Sequence, residues 1–146
     1  MIRKWDAKET RPLLTLWLES TIHAHPFIDE TYWHESVAVV RDVYLPAAST
    51  WVWEENATIK GFVSVMESRF IGALFVAPDA IRRGIGSALL DEVKQHYRWL
   101  SLEVYQKNVQ AVNFYHAQGF RIEDCAWQDD TLQPTWIMHW PADQTP

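Results

Sequence analysis

The amino-acid sequence predicts a single α/β (α+β) domain, with elements in the order ααβββαβαββ. Three observations carry that expectation. Apolar residues keep helical spacing up to Tyr44, and strand-like runs take over from Trp51. Two strand-to-helix junctions then follow one another, at Arg82-Arg83-Gly84-Ile85-Gly86-Ser87 and at Asn108 to Tyr115. Finally, 146 residues with 48% hydrophobic and 22% charged side chains suffice for one core without disulfides or metals. The domain is expected to span residues 1–141, with 142–146 a loose tail.

Each element has its own signal. Leu13, Leu14, Trp17, Leu18, Thr21 and Ile22 recur at helical spacing after a start signal at Thr10 and Pro12. His23 to Pro26 break that pattern. A second helix is expected from about Asp29 to Tyr44, stopped by Pro46. Trp51-Val52-Trp53 and Ile59 to Met66 read as strands around a turn at Glu55-Asn56. Phe70 to Val76 is apolar on both phases, which predicts a strand covered on both faces. Ile85, Leu89 and Val93 form one stripe of a helix that begins at the glycines. Trp99 to Val104 is a short strand. Asn108 caps the helix that follows, with Ala111, Val112 and Tyr115 on one side, and Gly119 ends it. Phe120 to Trp127 and Thr135 to Trp140 complete the series as strands.

The totals narrow the function. A net charge of −6 disfavours a general nucleic-acid binder, which needs clustered cations to neutralise phosphates, and suits attraction of a cationic amine. Cys125 is the only cysteine, so no intrachain disulfide forms; it reads as a small buried residue. No run approaches the roughly 20 apolar residues needed to span a bilayer. The charged start (Arg3, Lys4, Asp6, Lys8, Glu9) lacks a signal-peptide apolar region, so a cytoplasmic protein without a membrane partner is expected. The nine tryptophans are scattered over nearly all elements, which favours packing over a stacking platform. The histidines show no metal-ligand spacing.

The glycine junction is built for phosphate. A helix start leaves its first N–H groups unpaired and carries partial positive charge. Gly84 and Gly86 lack side chains that would keep an anion off the backbone, Arg82 and Arg83 add charge, and Ser87 adds a hydroxyl. Gly86 is followed by Ser87-Ala88, so the Lys-Ser/Thr of a nucleotide-hydrolase P-loop is missing. Leu89 stands where a dinucleotide fingerprint needs a third small residue; Glu103, lying downstream, keeps that reading as a weak rival.

Val76-Ala77-Pro78 followed by Arg82-Arg83-Gly84-Ile85-Gly86-Ser87-Ala88-Leu89-Leu90 resembles the acyl-CoA-binding motif of the GNAT N-acetyltransferases. Asn108-x-x-Ala111-x-x-Phe114-Tyr115-x-x-x-Gly119-Phe120 resembles the second motif of that family, and the order of elements matches over essentially the whole chain. One departure is Ile81, where the family often has Gln or Arg. The resemblance implies a mixed central sheet with a splayed central strand pair, flanked by helices on both faces. It implies acetyl-CoA as acyl donor and no metal. The backbone of Phe75, Val76 and Ala77 would pair with the pantetheine arm. The amides of Arg83, Gly84, Ile85, Gly86, Ser87 and Ala88, helped by Arg82, would hold the pyrophosphate. Asn108 would hydrogen-bond the donor from its helix start, with Asn113 assisting.

Acetyl transfer to an amine needs a proton acceptor for the amine, a donor to the carbonyl oxygen and a donor to the departing sulfur. The resemblance gives the last role to Tyr115, whose phenol stays protonated at neutral pH. The carbonyl oxygen would meet a backbone N–H near Phe75 or Val76. Glu103, in Leu102-Glu103-Val104, lies on the strand phase opposite its two apolar neighbours. The same tripeptide resembles ribosomal-protein alanine acetyltransferases, in which that glutamate is the proposed base. Glu67 is the fallback base. His25, beside His23 in the turn between the first helices, and Phe70, at the start of the central strand, are candidate acceptor contacts. The expected acceptor is a protein lysine, a protein N-terminus or a small amine, served by a monomer or homodimer. A non-catalytic acyl-CoA-binding module and an enzyme acting on aminoacyl-tRNA are the alternatives.

Overall fold

A computed structural model describes residues 1–142; of the expected tail, all but Ala142 lies outside the described residues. Strand β1 (Ile2–Lys4) leads through a short 3-10 turn to helix α1 (Thr10–Ala24), which buries Leu13, Leu16, Trp17, Ser20 and Thr21 at helical spacing. The second helix, α2 (Glu30–Val39), starts where Asp29 accepts a hydrogen bond from the Thr31 N–H at 2.9 Å.

Pro46 does not end this helical path. The chain continues through a π-helical segment, Val40–Tyr44, into a last turn, α3 (Leu45–Ala47), that contains Pro46 near its start. The Leu45 N–H donates to the Val40 carbonyl, five residues back. That wider turn takes in the missing proline N–H at low cost, which a regular α-turn would not do.

The remaining elements are β2 (Ser49–Glu55), β3 (Thr58–Val65), β4 (Phe70–Val76), α4 (Ile85–Lys94), β5 (Leu100–Tyr105), α5 (Val109–Ala117), β6 (Arg121–Gln128) and β7 (Gln133–Trp140). The seven strands form one sheet in the order β1-β2-β3-β4-β5-β7-β6. All neighbours are antiparallel except β4 and β5. β1 was not expected: three residues are too short to show alternation. It is held by its register with β2 and by Arg3, whose guanidinium reaches Glu9 (2.7 and 2.9 Å) and Glu54 (2.9 Å).

Helices cover both faces of the sheet. Phe62 and Ser64 of β3 share a cavity with Leu13 and Trp17 of α1. Gly61, on the other phase, meets α4: a β-carbon there would lie 2.9 Å from Ile85 Cγ2. Val52, Val63, Leu89, Leu90, Val93, Leu100 and Met138 are fully buried between these layers.

β4 and β5 pair only at Phe70↔Ser101 and Ile71↔Leu102, and then separate. The cause sits one residue on. Val65 pairs with Ile71 but Ser64 pairs with Ala73, so Gly72 is an extra, bulged residue of β4. A bulge bends its strand, and a glycine inside a strand pattern is its sequence mark. The expectation that β4 is covered on both faces is therefore corrected. Gly72 is exposed and Ala73 to Val76 are only half-buried, because one side of the strand borders an open gap. Cys125 is corrected as well: β6 is an edge strand and its thiol is exposed.

Candidate active site

The gap between β4 and β5 is a cleft of about 580 Å³, walled by Leu74 and Phe75 on one side, Val104 and Tyr105 on the other, and Asn108, Ala111 and Tyr115 at its end. The Ala77 N–H donates to the Lys60 carbonyl at 2.8 Å, so its amide faces β3. Strand alternation gives Phe75 the same direction and turns the amides of Leu74 and Val76 toward the gap. Of Phe75, Val76 and Ala77, only Val76 thus offers its backbone N–H to the gap; Phe75 contributes its side chain.

At the cleft end, Arg82 and Gly84 take left-handed φ values of 66° and 80° to turn the loop into α4. The amides of Ile85, Gly86 and Ser87 have no backbone acceptor among the described residues, whereas the Ala88 N–H already donates to the Gly84 carbonyl at 3.0 Å. Ala88 therefore has no free amide, unlike the three residues before it. Ile85 is a core residue that contributes only its amide. Ser87 Oγ accepts a hydrogen bond from Gln118 at 3.1 Å, which leaves its O–H free to donate. Arg83 is forked onto Glu55 at 2.7 and 2.8 Å, and that guanidinium holds the Glu55 carboxyl at about 2. The free cation at the loop is Arg82, which is exposed and has no ion-pair partner among the described residues. Asn108 Oδ1 caps α5 by accepting from Ala111 N at 3.3 Å, so its amide group remains for the cleft. Asn113 is exposed on α5 and is not among the described residues that line the cleft.

Tyr115 is 8% exposed and lines the cleft. Its hydroxyl has no hydrogen-bond partner among the described residues, and burial raises the phenol well above its ordinary value. It therefore stays a proton donor throughout the neutral range.

On the α1–α2 face the cleft continues into a cavity of about 430 Å³ whose walls include Trp17, Tyr32, Tyr44, Met66 and Phe70. Val40 and Tyr44 reach it from the π-helical segment. Glu103 lines both spaces. Its Oε2 accepts from Thr135 Oγ1 and from Gln128 Nε2, both at 2.6 Å. Oε1 has no partner, and no Lys, Arg or His pairs with the carboxylate, among the described residues. Glu67 is exposed in the β3–β4 turn. Thr135 and Gln128 carry no motif. They reach Glu103 through strand pairing, 32 and 25 residues away in sequence respectively, which local reading does not see.

His25 lines the cleft and is packed at its wall. It is buried among Phe27, Trp33 and Tyr105, and Nδ1 donates to the Thr21 carbonyl at 2.7 Å. Burial lowers its pKa from the ordinary 6.5. Above pH 6.5 folded and unfolded chains both hold it neutral. Below that value the unfolded chain binds a proton that the folded one refuses, so stability falls until the depressed folded pKa is reached. The wild-type chain should lose up to about 1.4 kcal/mol per pH unit from this residue below 6.5. A His25→Asn variant should show a flatter acid limb when Tm is followed from neutral pH downward; parallel curves would contradict this.

Residues 10–120 match the acetyltransferase (GNAT) family. The chain belongs to that family. It is 58% identical over 145 residues to the peptidyl-lysine N-acetyltransferase YiaC of Escherichia coli, covering 99% of each chain. The apo-form solution structure of YjaB from Escherichia coli superimposes with a TM-score of 0.82 at 28% identity, covering 96% of each chain. The PaiA N-acetyltransferase of Thermoplasma acidophilum, solved with coenzyme A, shares the fold with a TM-score of 0.81 at 19% identity, covering 95% of this chain and 96% of that one. The GNAT chain is thus an acetyl-CoA-dependent N-acetyltransferase. The structure fits that donor: an open strand gap with inward amides leads to a helix start whose first amides are free. No group of metal-ligating side chains occurs among the described residues, and none of their helices is long and apolar enough to cross a membrane.

Proposed function

We propose that the chain acetylates the ε-amine of lysine in protein or peptide acceptors, in the cytoplasm. One observation carries this reading: Glu103, a carboxylate with no cationic partner among the described residues, lines both the donor cleft and a largely apolar cavity walled by Trp17, Tyr32, Tyr44 and Phe70. A half-buried carboxylate held only by neutral donors attracts a cationic partner. A lysine side chain supplies one on a four-carbon stem, which suits walls such as Trp17, Tyr32 and Phe70. Glu35 and Asp130 border the cleft and add negative potential for a cationic acceptor. The relative YiaC, named for peptidyl-lysine acetylation, agrees with this acceptor.

Acetyl-CoA supplies the thioester acyl group; its pyrophosphate would be held by the amides of Ile85, Gly86 and Ser87, with Arg82 and Asn108 nearby. Glu103 takes the ammonium proton through Oε1, which frees the amine lone pair for attack. The Val76 N–H faces the gap and stabilises negative charge on the acyl oxygen. As the C–S bond breaks, Tyr115 donates its phenolic proton to the departing thiolate, and the second proton lost from the acylated nitrogen restores the phenol. Trp17, Tyr32 and Phe70 keep bulk water from the amine.

The test is an acceptor screen with acetyl-CoA, read by mass spectrometry and thiol release. It compares an N-terminally blocked lysine peptide, a lysine-free peptide with a free N-terminus, and small diamines. Acetylation of the first alone is expected. Transfer only to the second or third, or binding of CoA without thiol release, overturns the reading.

A further inference from the structure

We propose that Thr135 and Gln128 are positioning residues that hold the Glu103 carboxylate for proton transfer; this rests on the reading of Glu103 as the base. Three strands converge at this carboxylate. Glu103 is on β5, Thr135 on β7 and Gln128 on β6. Tyr105 pairs with Thr135 and Glu103 with Ile137, so Thr135 is the diagonal neighbour of Glu103 across the β5–β7 ladder. Both donors meet one oxygen, Oε2, at 2.6 Å, the short range of hydrogen bonds to an ionised acceptor.

Two consequences follow from this geometry. Bonds from two donors to one oxygen restrict rotation of the carboxylate and leave Oε1 without a protein partner in a residue that lines both spaces. Both donors are also neutral. An Arg or Lys in either place would pair with the carboxylate and weaken it as a proton acceptor. Thr135 is 1% exposed, and its hydroxyl makes no other hydrogen bond among the described residues. A hydroxyl at a buried position that served packing alone would be replaceable by a methyl group.

The experiment is a double-mutant cycle on the full chain, with acetyl-CoA and an N-terminally blocked lysine peptide. Thr135→Val and Gln128→Leu are each measured alone and in a Glu103→Gln background, beside Thr135→Ser. Each of the first two should lower kcat roughly tenfold or more, as expected for losing a hydrogen bond to a charged group, with the KM for acetyl-CoA unchanged. Thr135→Ser should restore most of kcat. In the Glu103→Gln background the same substitutions should change kcat by less than about twofold, because the proton route they serve is already gone. Equal losses in both backgrounds, or wild-type kcat for Thr135→Val and Gln128→Leu, would overturn the proposal while leaving the lysine reading intact. Full kcat in Glu103→Gln alone would overturn the base assignment and this inference together. Should Thr135→Val fail to fold, the half-buried Gln128 completes the cycle.

Discussion

Glu103→Gln should lower kcat/KM for a lysine peptide by roughly 10²–10⁴ at neutral pH, the usual worth of a positioned general base. The substitution keeps the side chain's size, and an amide oxygen can still accept from Thr135, so the fold and the cavity walls are retained. What is lost is the capacity of Oε1 to take a proton and the negative charge that draws the ammonium in. The donor half of the site is built from other residues, the Ile85 to Ser87 amides and the Val76 backbone, so the KM for acetyl-CoA should not move. Raising the pH toward the lysine amine's own pKa, about 10.4, delivers the acceptor already deprotonated, and part of the loss should be recovered there. Thiol release across a pH series measures both effects. An unchanged pH profile, or a neutral-pH rate equal to wild type, would remove Glu103 from the role.

Tyr115→Phe should lower the chemical step by about 10²-fold while leaving Tm and acetyl-CoA affinity nearly as they are. The phenolic oxygen has no hydrogen-bond partner among the described residues, so its removal orphans nothing. The ring, packed edge-on against Phe114 and Phe120, is preserved by phenylalanine. The residue is largely buried and lines the open cleft, where a ligand atom can meet its hydroxyl. Because burial raises the phenol, its ionisation should impose no alkaline limb within the neutral range. Single-turnover measurements separate this step from product release; a full single-turnover rate in the variant would exclude the acid role.

The two junctions were legible in sequence because each is local. A glycine pair opening a helix and a capping asparagine followed by an inward tyrosine are physical signals within a dozen residues. The strand phase that turns Glu103 away from Leu102 and Val104 is equally local, and the structure keeps it. Pro46 misled because its usual effect assumes regular α-turns, and here a π-turn precedes it. Cys125 misled because burial of a strand residue depends on whether the strand is at the sheet edge. The surroundings of His25 were equally hidden: Phe27, Trp33 and Tyr105 pack around it from separate elements, and that burial lowers its pKa.

Short-range rules therefore settled the class of the fold, and they located the glycine loop that opens α4 and Tyr115 on α5, since each depends on backbone geometry within one or two turns. Tertiary structure decided the rest. It chose which amides face the gap, through the Ala77–Lys60 bond; which amides at the start of α4 are free, through the Ala88–Gly84 bond; and what surrounds Glu103. The physical reason is that a carboxylate's role depends on its partners. Those partners, Thr135 and Gln128, reach it only when β5, β7 and β6 are hydrogen-bonded in one register.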